Sequence, residues 1–124
     1  MREPKEADVL RACLQFLKLR GIFAWRNNST GIYDPTAKRY RTFNGLKGTA
    51  DIIGIIPVDT AADQYDAPNV IGRFLAVETK AKRGKLSLEQ AAFLDGIRAR
   101  GGLAFVVRSV SELEAALKAE GVLA

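Results

Sequence analysis

Lys47-Gly48-Thr49-Ala50-Asp51-Ile52-Ile53-Gly54-Ile55-Ile56-Pro57-Val58 and, further on, Phe74-Leu75-Ala76-Val77-Glu78-Thr79-Lys80 are the two stretches on which the fold turns. Asp51 to Val58 has the β-branched, apolar density of a buried strand, closed by Pro57. Phe74 to Thr79 is another strand. Its alternation puts Leu75, Val77 and Thr79 on one side, and Phe74, Ala76, Glu78 and Lys80 on the other. A glutamate and a lysine thus project together from an otherwise apolar strand. They form either a surface ion pair on a one-sided strand or the working groups of a site.

The flanking segments frame these strands. Leu10, Cys13, Leu14 and Leu17 recur at helical spacing and predict a helix from Glu6 to Leu19, stopped at Gly21. Ile22 to Arg26 reads as a short strand, and Arg39 to Phe43 as another within the basic, turn-rich segment Asn27–Lys47. Thr60 to Gly72 reads as an irregular connection and Lys82 to Lys85 as a basic turn. Ser87 to Arg100 is predicted as a second helix with a broad apolar face including Leu88 and Leu94. Leu103 to Val107 is apolar throughout, which predicts a central strand. Ser111 with Glu114 reads as the capping box of a last helix ending near Ala119. Helix, three strands, helix, strand, helix predicts an α/β fold with a mixed sheet between helices. The 124 residues make one domain, 1–124.

Composition removes several chemistries. The chain has no histidine, and its single Cys13 cannot form an internal disulfide. Zinc hydrolysis, Ser-His-Asp triads and Cys-His pairs are excluded. No apolar run approaches the roughly 20 residues of a membrane span, and the charged start, Met1 to Asp8, is unlike a signal peptide. A cytoplasmic protein with no membrane partner is expected. The net charge is +5, and between Arg11 and Lys47 eight basic residues meet one acid, Asp34. That segregation fits a nucleic-acid partner or a solvated basic face.

The chemistry left is that of carboxylates, lysines, hydroxyls and backbone. Glu78 follows Asp51 by 27 residues. If their strands are neighbours, two carboxylates converge beside Lys80. Two carboxylates, a strand carbonyl and water make a hard-oxygen site for Mg²⁺ or Mn²⁺. Such a metal lowers the pKa of a bound water and offsets charge on a phosphodiester. Lys80 would orient that water or stabilise developing charge. Glu6 falls on the apolar face of the first helix. There it must be paired, bind metal or sit at the rim of the core, unless it is simply a helix-start acid.

The ordered set of motifs resembles the VRR-NUC domain of the PD-(D/E)XK nuclease superfamily. It comprises Glu6, Leu19-Arg20-Gly21, Trp25-Arg26-Asn27-Asn28, Lys47 to Gly54, Val77-Glu78-Thr79-Lys80, Gly84-Lys85-Leu86-Ser87-Leu88-Glu89-Gln90 and Gly101-Gly102. Ala50 stands where the superfamily usually has a proline. The resemblance implies a restriction-endonuclease-like αβββαβ core, here with a C-terminal helix added. It implies a Mg²⁺- or Mn²⁺-dependent endonuclease acting on structured DNA. Stand-alone members of this size are typically viral or bacterial and similar to Holliday-junction resolvases that work as homodimers. By that match Asp51, Glu78 and the Thr79 carbonyl would bind metal. Lys80 would be the catalytic lysine, Glu6 would assist, and Gln90 would be the helix-borne polar residue. Gln90 reads equally as part of a Ser87–Gln90 capping box.

Arg26, Asn27, Asn28, Arg39, Arg41, Lys82, Arg83 and Lys85 are the candidate DNA contacts, with Tyr33 or Tyr40 for stacking; the other reading is an ordinary polar loop. Cys13 and Trp25 are assigned to the core. The competing functions are a binding module that has kept the fold without the reaction, and a protein-interaction domain. Retained carboxylates count against a pure phosphate binder, because they repel phosphate unless a cation intervenes.

Overall fold

The computed structural model describes residues 2–28, 32–41, 46–60 and 70–124. It contains α1 (Glu6–Leu19), β1 (Phe23–Arg26), β2 (Ile32–Asp34), β3 (Arg39–Arg41), β4 (Ile52–Asp59), β5 (Val70–Thr79), α2 (Leu88–Ala99), β6 (Leu103–Val107) and α3 (Val110–Ala119). The main sheet has the order β1-β4-β5-β6. β1, β4 and β5 are antiparallel neighbours, and β5 and β6 run parallel. This is the expected mixed sheet flanked by helices, with α3 added at the end, consistent with a restriction-endonuclease-like core. Among the described residues no helix is long and apolar enough to cross a membrane.

α1 buries Val9, Cys13 and Leu17, spaced four apart, which is one stripe of a helix. It ends as expected: Gly21 has φ +72°, and the Ile22 amide donates back to the Leu17 carbonyl at 2.9 Å. That stripe joins Ile52, Ile56, Leu75 and Val77 from the sheet and Leu113 and Leu117 from α3 in the larger core. Cys13 is fully buried there, and burial pushes its thiol up to about 11, where it is inert. The other sheet face carries a smaller core of Ala50, Ala76, Leu94 and Ala104 under α2. β5 thus ends between two layers, and every residue from Leu75 to Lys80 is buried.

Several expectations change. β6 is an edge strand of this sheet; its apolar run reflects α2 on one face and α3 on the other. β4 runs through Pro57 to Asp59 because β1 reaches only to Ile55. Beyond that point a missing N–H costs no ladder bond. β5 begins at Val70, inside the segment read as irregular. β2 was not anticipated; it pairs with β3, across a turn in which Asp34 Oδ1 accepts from the Thr36 amide at 2.9 Å. The expected strand Arg39–Phe43 is observed over Arg39–Arg41, and the remainder lies outside the described residues. α3 is capped by Ser109 instead of Ser111: Ser109 Oγ accepts from the Glu112 amide, and Glu112 accepts from the Arg108 amide. Leu88 and Trp25 are exposed, at 87% and 44%, so neither belongs to the core.

Candidate active site and metal centre

The site follows from the β4–β5 register. Ile52 pairs with Val77, so one step further Asp51 stands opposite Glu78. Directly opposed residues share a face and lie within reach of each other. The main chain before β4 is held in place by Asn27, whose amide donates to the Asp51 carbonyl at 2.7 Å and whose side-chain Nδ2 donates to the Ala50 carbonyl at 3.1 Å. Gly48, at φ +81°, lets this loop press against the start of α2. A Cβ there would collide with the backbone of Glu89 and Gln90.

Asp51 Oδ2 accepts two bonds from Thr79, from its amide and from its hydroxyl, each at 2.9 Å. Glu78 is 1% exposed. Its Oε1 accepts from Gln90 Nε2 at 3.2 Å, while its Oε2 is buried with no hydrogen-bond partner among the described residues. Lys80 Nζ lies between Glu6 Oε1 at 3.7 Å and Glu78 Oε1 at 3.9 Å. The Lys80 amide donates to the Val107 carbonyl and carries the chain past the end of β5 beside β6.

Gln90 satisfies both readings of it. Ser87 and Gln90 form a reciprocal capping box: the Ser87 amide donates to Gln90 Oε1 at 2.9 Å, and the Gln90 amide donates to Ser87 Oγ at 3.0 Å. With Oε1 held by the cap, the Gln90 amide group must turn its Nε2 toward Glu78.

Electrostatically the cluster holds three carboxylates against one ammonium. Burial first, then the adjoining Asp51 carboxylate, push the Glu78 carboxyl from an ordinary 4.5 up to about 8; Glu6 adds to this and Lys80 opposes it. A protonated Glu78 would share its proton with Asp51, whereas two ionised carboxylates repel. Oxygens of Glu6, Asp51 and Glu78 lie within 4.8 Å of one another. An all-oxygen donor set of this spacing, with a buried carboxylate oxygen lacking a partner, fits a hard divalent cation. Glu6 sits at the rim, its side chain 52% exposed.

The basic residues are distributed more widely. Asn27 adjoins the acidic cluster, and Arg26 and Asn28 flank it in sequence. Lys82, Arg83 and Lys85 are exposed on the loop between β5 and α2. Arg108 Nη2 ties that loop down by donating to the Gly84 carbonyl at 2.8 Å. Arg39 and Arg41 lie on β3, in the two-stranded sheet separate from the one carrying the cluster. The Asn27 anchor, the Thr79 hydroxyl, the Gly48 approach and the Arg108 tether were not read from the sequence. Only Gly48 carried a signal, as a glycine just ahead of a strand.

The VRR-NUC domain model matches residues 6–111 of the chain. The search of curated proteins found no match to the chain.

Proposed function

The chain belongs to the VRR-NUC domain family, a nuclease-type module, and from that footing we propose that it is a metal-dependent, structure-specific DNA endonuclease. The reaction is hydrolysis of phosphodiester bonds, and the substrate is branched DNA such as a four-way (Holliday) junction. Asp51, Glu78 and the Thr79 carbonyl would hold Mg²⁺ or Mn²⁺. A divalent cation bound there supplies activation of a water and compensation of phosphate charge.

The chain's own groups have separate tasks in this reading. Lys80, 8% exposed and flanked by Glu6 and Glu78, presents an ammonium at the mouth of the cluster. There it orients the attacking water and stabilises charge developing on the phosphate oxygens. Gln90 holds Glu78 Oε1, and Oε2 stays buried without a hydrogen-bond partner among the described residues. Arg26, Asn28, Lys82, Arg83 and Lys85 would contact the DNA backbone, together with Arg39 and Arg41 of β3. Asn27 has its side-chain donor engaged with Ala50 and acts mainly by fixing the Asp51 turn.

The observation that carries the reading is the buried Glu78 carboxylate with one unpartnered oxygen, gathered with Asp51 and Glu6 beside a lysine. A pure phosphate-binding module has no use for a buried Glu78 paired with Asp51, since carboxylates repel phosphate unless a cation intervenes. The protein would act as a homodimer, because a four-way junction has two symmetric cut sites. An apolar strip supports this: Phe23, Ile55 and Phe74 align across β1, β4 and β5, next to Trp25 and Ile53, and Phe23 is 69% exposed.

The test is incubation with a labelled four-way junction, a flap and a plain duplex, in Mg²⁺, Mn²⁺ and EDTA. Metal-dependent cleavage is expected, strongest on the branched substrates and absent in Glu78→Ala. Full activity in that variant would overturn the assignment. A salt-sensitive gel shift with no cleavage on any substrate would mean a binding module.

A further inference from the structure

We propose that the Thr79 side-chain hydroxyl is a positioning group for the metal site, orienting Asp51 for the cation. The proposal rests on the reading of Asp51 as a cation ligand. Its subject is a different atom of Thr79 from the carbonyl assigned to the metal.

The geometry is a two-point grip. Asp51 Oδ2 takes the Thr79 amide and the Thr79 hydroxyl, both at 2.9 Å. Two donors converging on one carboxylate oxygen restrict the rotation of the carboxyl group. The main chain of Asp51 is fixed separately, by Asn27. The Asp51 side chain is gripped by the two Thr79 donors, with the Glu78 carboxyl as its neighbour.

That orientation has something to resist. Asp51 shares a small volume with Glu78 and Glu6, whose oxygens come within 4.8 Å of its own. In that crowded space a carboxyl group held by a single donor could rotate and present a different oxygen to its neighbours. Thr79 is fully buried, so no water can take over the role of its hydroxyl. The amide donor is present whatever residue occupies position 79, whereas the hydroxyl is specific to Thr or Ser. Valine at this position would keep the shape and the amide while removing one of the two donors. Groups of this kind, which orient a ligand without touching the metal, typically change metal affinity by about 10- to 100-fold.

The experiment is a calorimetric titration of the metal-stripped 124-residue chain with Mn²⁺ alone, for the wild type, Thr79→Val and Thr79→Ser. Cleavage is then measured against Mn²⁺ concentration for the same three proteins. Thr79→Val should bind Mn²⁺ about 10- to 100-fold more weakly, and its half-saturating Mn²⁺ for cleavage should rise in parallel. Its kcat should return toward the wild-type value at saturating Mn²⁺. Thr79→Ser should restore the affinity. If Thr79→Val does not fold, Thr79→Ala removes the same donor and carries the same comparison. Wild-type affinity in the hydroxyl-free variant would overturn the proposal alone. So would a serine variant as weak as the valine one, since the threonine would then be serving only as packing. Absence of Mn²⁺ binding by the wild type would overturn the metal reading and this proposal with it.

Discussion

Replacing Glu78 by glutamine should separate two consequences of burying that carboxyl. Glu78 is 1% exposed, and its carboxyl is raised from an ordinary 4.5 to about 8 by burial and by Asp51. In metal-free protein the folded state therefore keeps a proton that the unfolded chain has released. Between pH 4.5 and about 8 the folded state binds more protons, so stability falls as pH rises through that window. At about 1.4 kcal/mol for each tenfold change in proton affinity, the full displacement caps the loss at roughly 4–5 kcal/mol. Glu78→Gln, neutral at every pH, should lose this slope. The assay is urea denaturation in EDTA from pH 5 to 9, for both proteins. The difference between the two curves isolates Glu78 from the other titrating groups. The wild type should lose ground to the variant as pH rises, levelling off above about pH 8. Adding Mg²⁺ or Mn²⁺ should stabilise the wild type, with release of close to one proton per ion at neutral pH, and should leave the variant unmoved. Parallel stability curves in EDTA across the whole range would refute the reasoning, because Glu78 would then ionise as an ordinary solvated acid.

Lys80→Met should abolish cleavage yet leave Mn²⁺ binding within a few-fold of wild type when titrated calorimetrically, since the lysine acts beside the ligands and is not one of them. Gly48→Ala should destabilise the fold by about 2 kcal/mol or more in urea denaturation, because φ is +81° and the new Cβ meets the backbone of α2. Phe23→Glu with Phe74→Glu should convert the proposed homodimer into a 13.5 kDa monomer by sedimentation velocity; a dimer that persists in this double variant would place the interface elsewhere, and a monomeric wild type would overturn the dimer proposal.

Much of the fold was legible because the elements carrying it are locally marked. α1 is one stripe with a glycine stop, and β4 and the second half of β5 are apolar runs of strand length. The convergence of Asp51 and Glu78 could be stated conditionally, since it needed only that two strands be neighbours. Other features depended on what packs against what. Ser109 and Ser111 each have a glutamate three residues on, Glu112 and Glu114, so local pattern could not choose between them. The chain's course decides it. β6 ends at Val107, leaving the Arg108 amide to be met by Glu112, while Glu114 turns to Arg20 at 3.3 Å. The apolar run of β6 records that both its faces are covered, and that is compatible with an edge. Trp25 looked like core because it is aromatic and lies in a strand. Among the described residues, however, α2 packs mainly on β5 and β6, and Phe23, Trp25 and Ile55 on β1 and β4 are exposed.

The same packing explains why the acidic cluster stands at the end of β5. In a sheet covered on both faces there, a carboxylate is forced into low dielectric, where its proton affinity rises and its need for a cation grows. The cost is contained by groups that already serve the fold. The cap of α2 also aims Gln90 at Glu78, and the anchor of the β4 turn also fixes Asp51. Substitutions at Ser87, Gln90 or Asn27 will therefore change stability and activity together, and neither measurement alone can assign them a role. Thr79 is different: its hydroxyl donates to Asp51, and an isostere removes that donor without altering the backbone. Position 79 is accordingly where a change in metal affinity can be read apart from a change in folding.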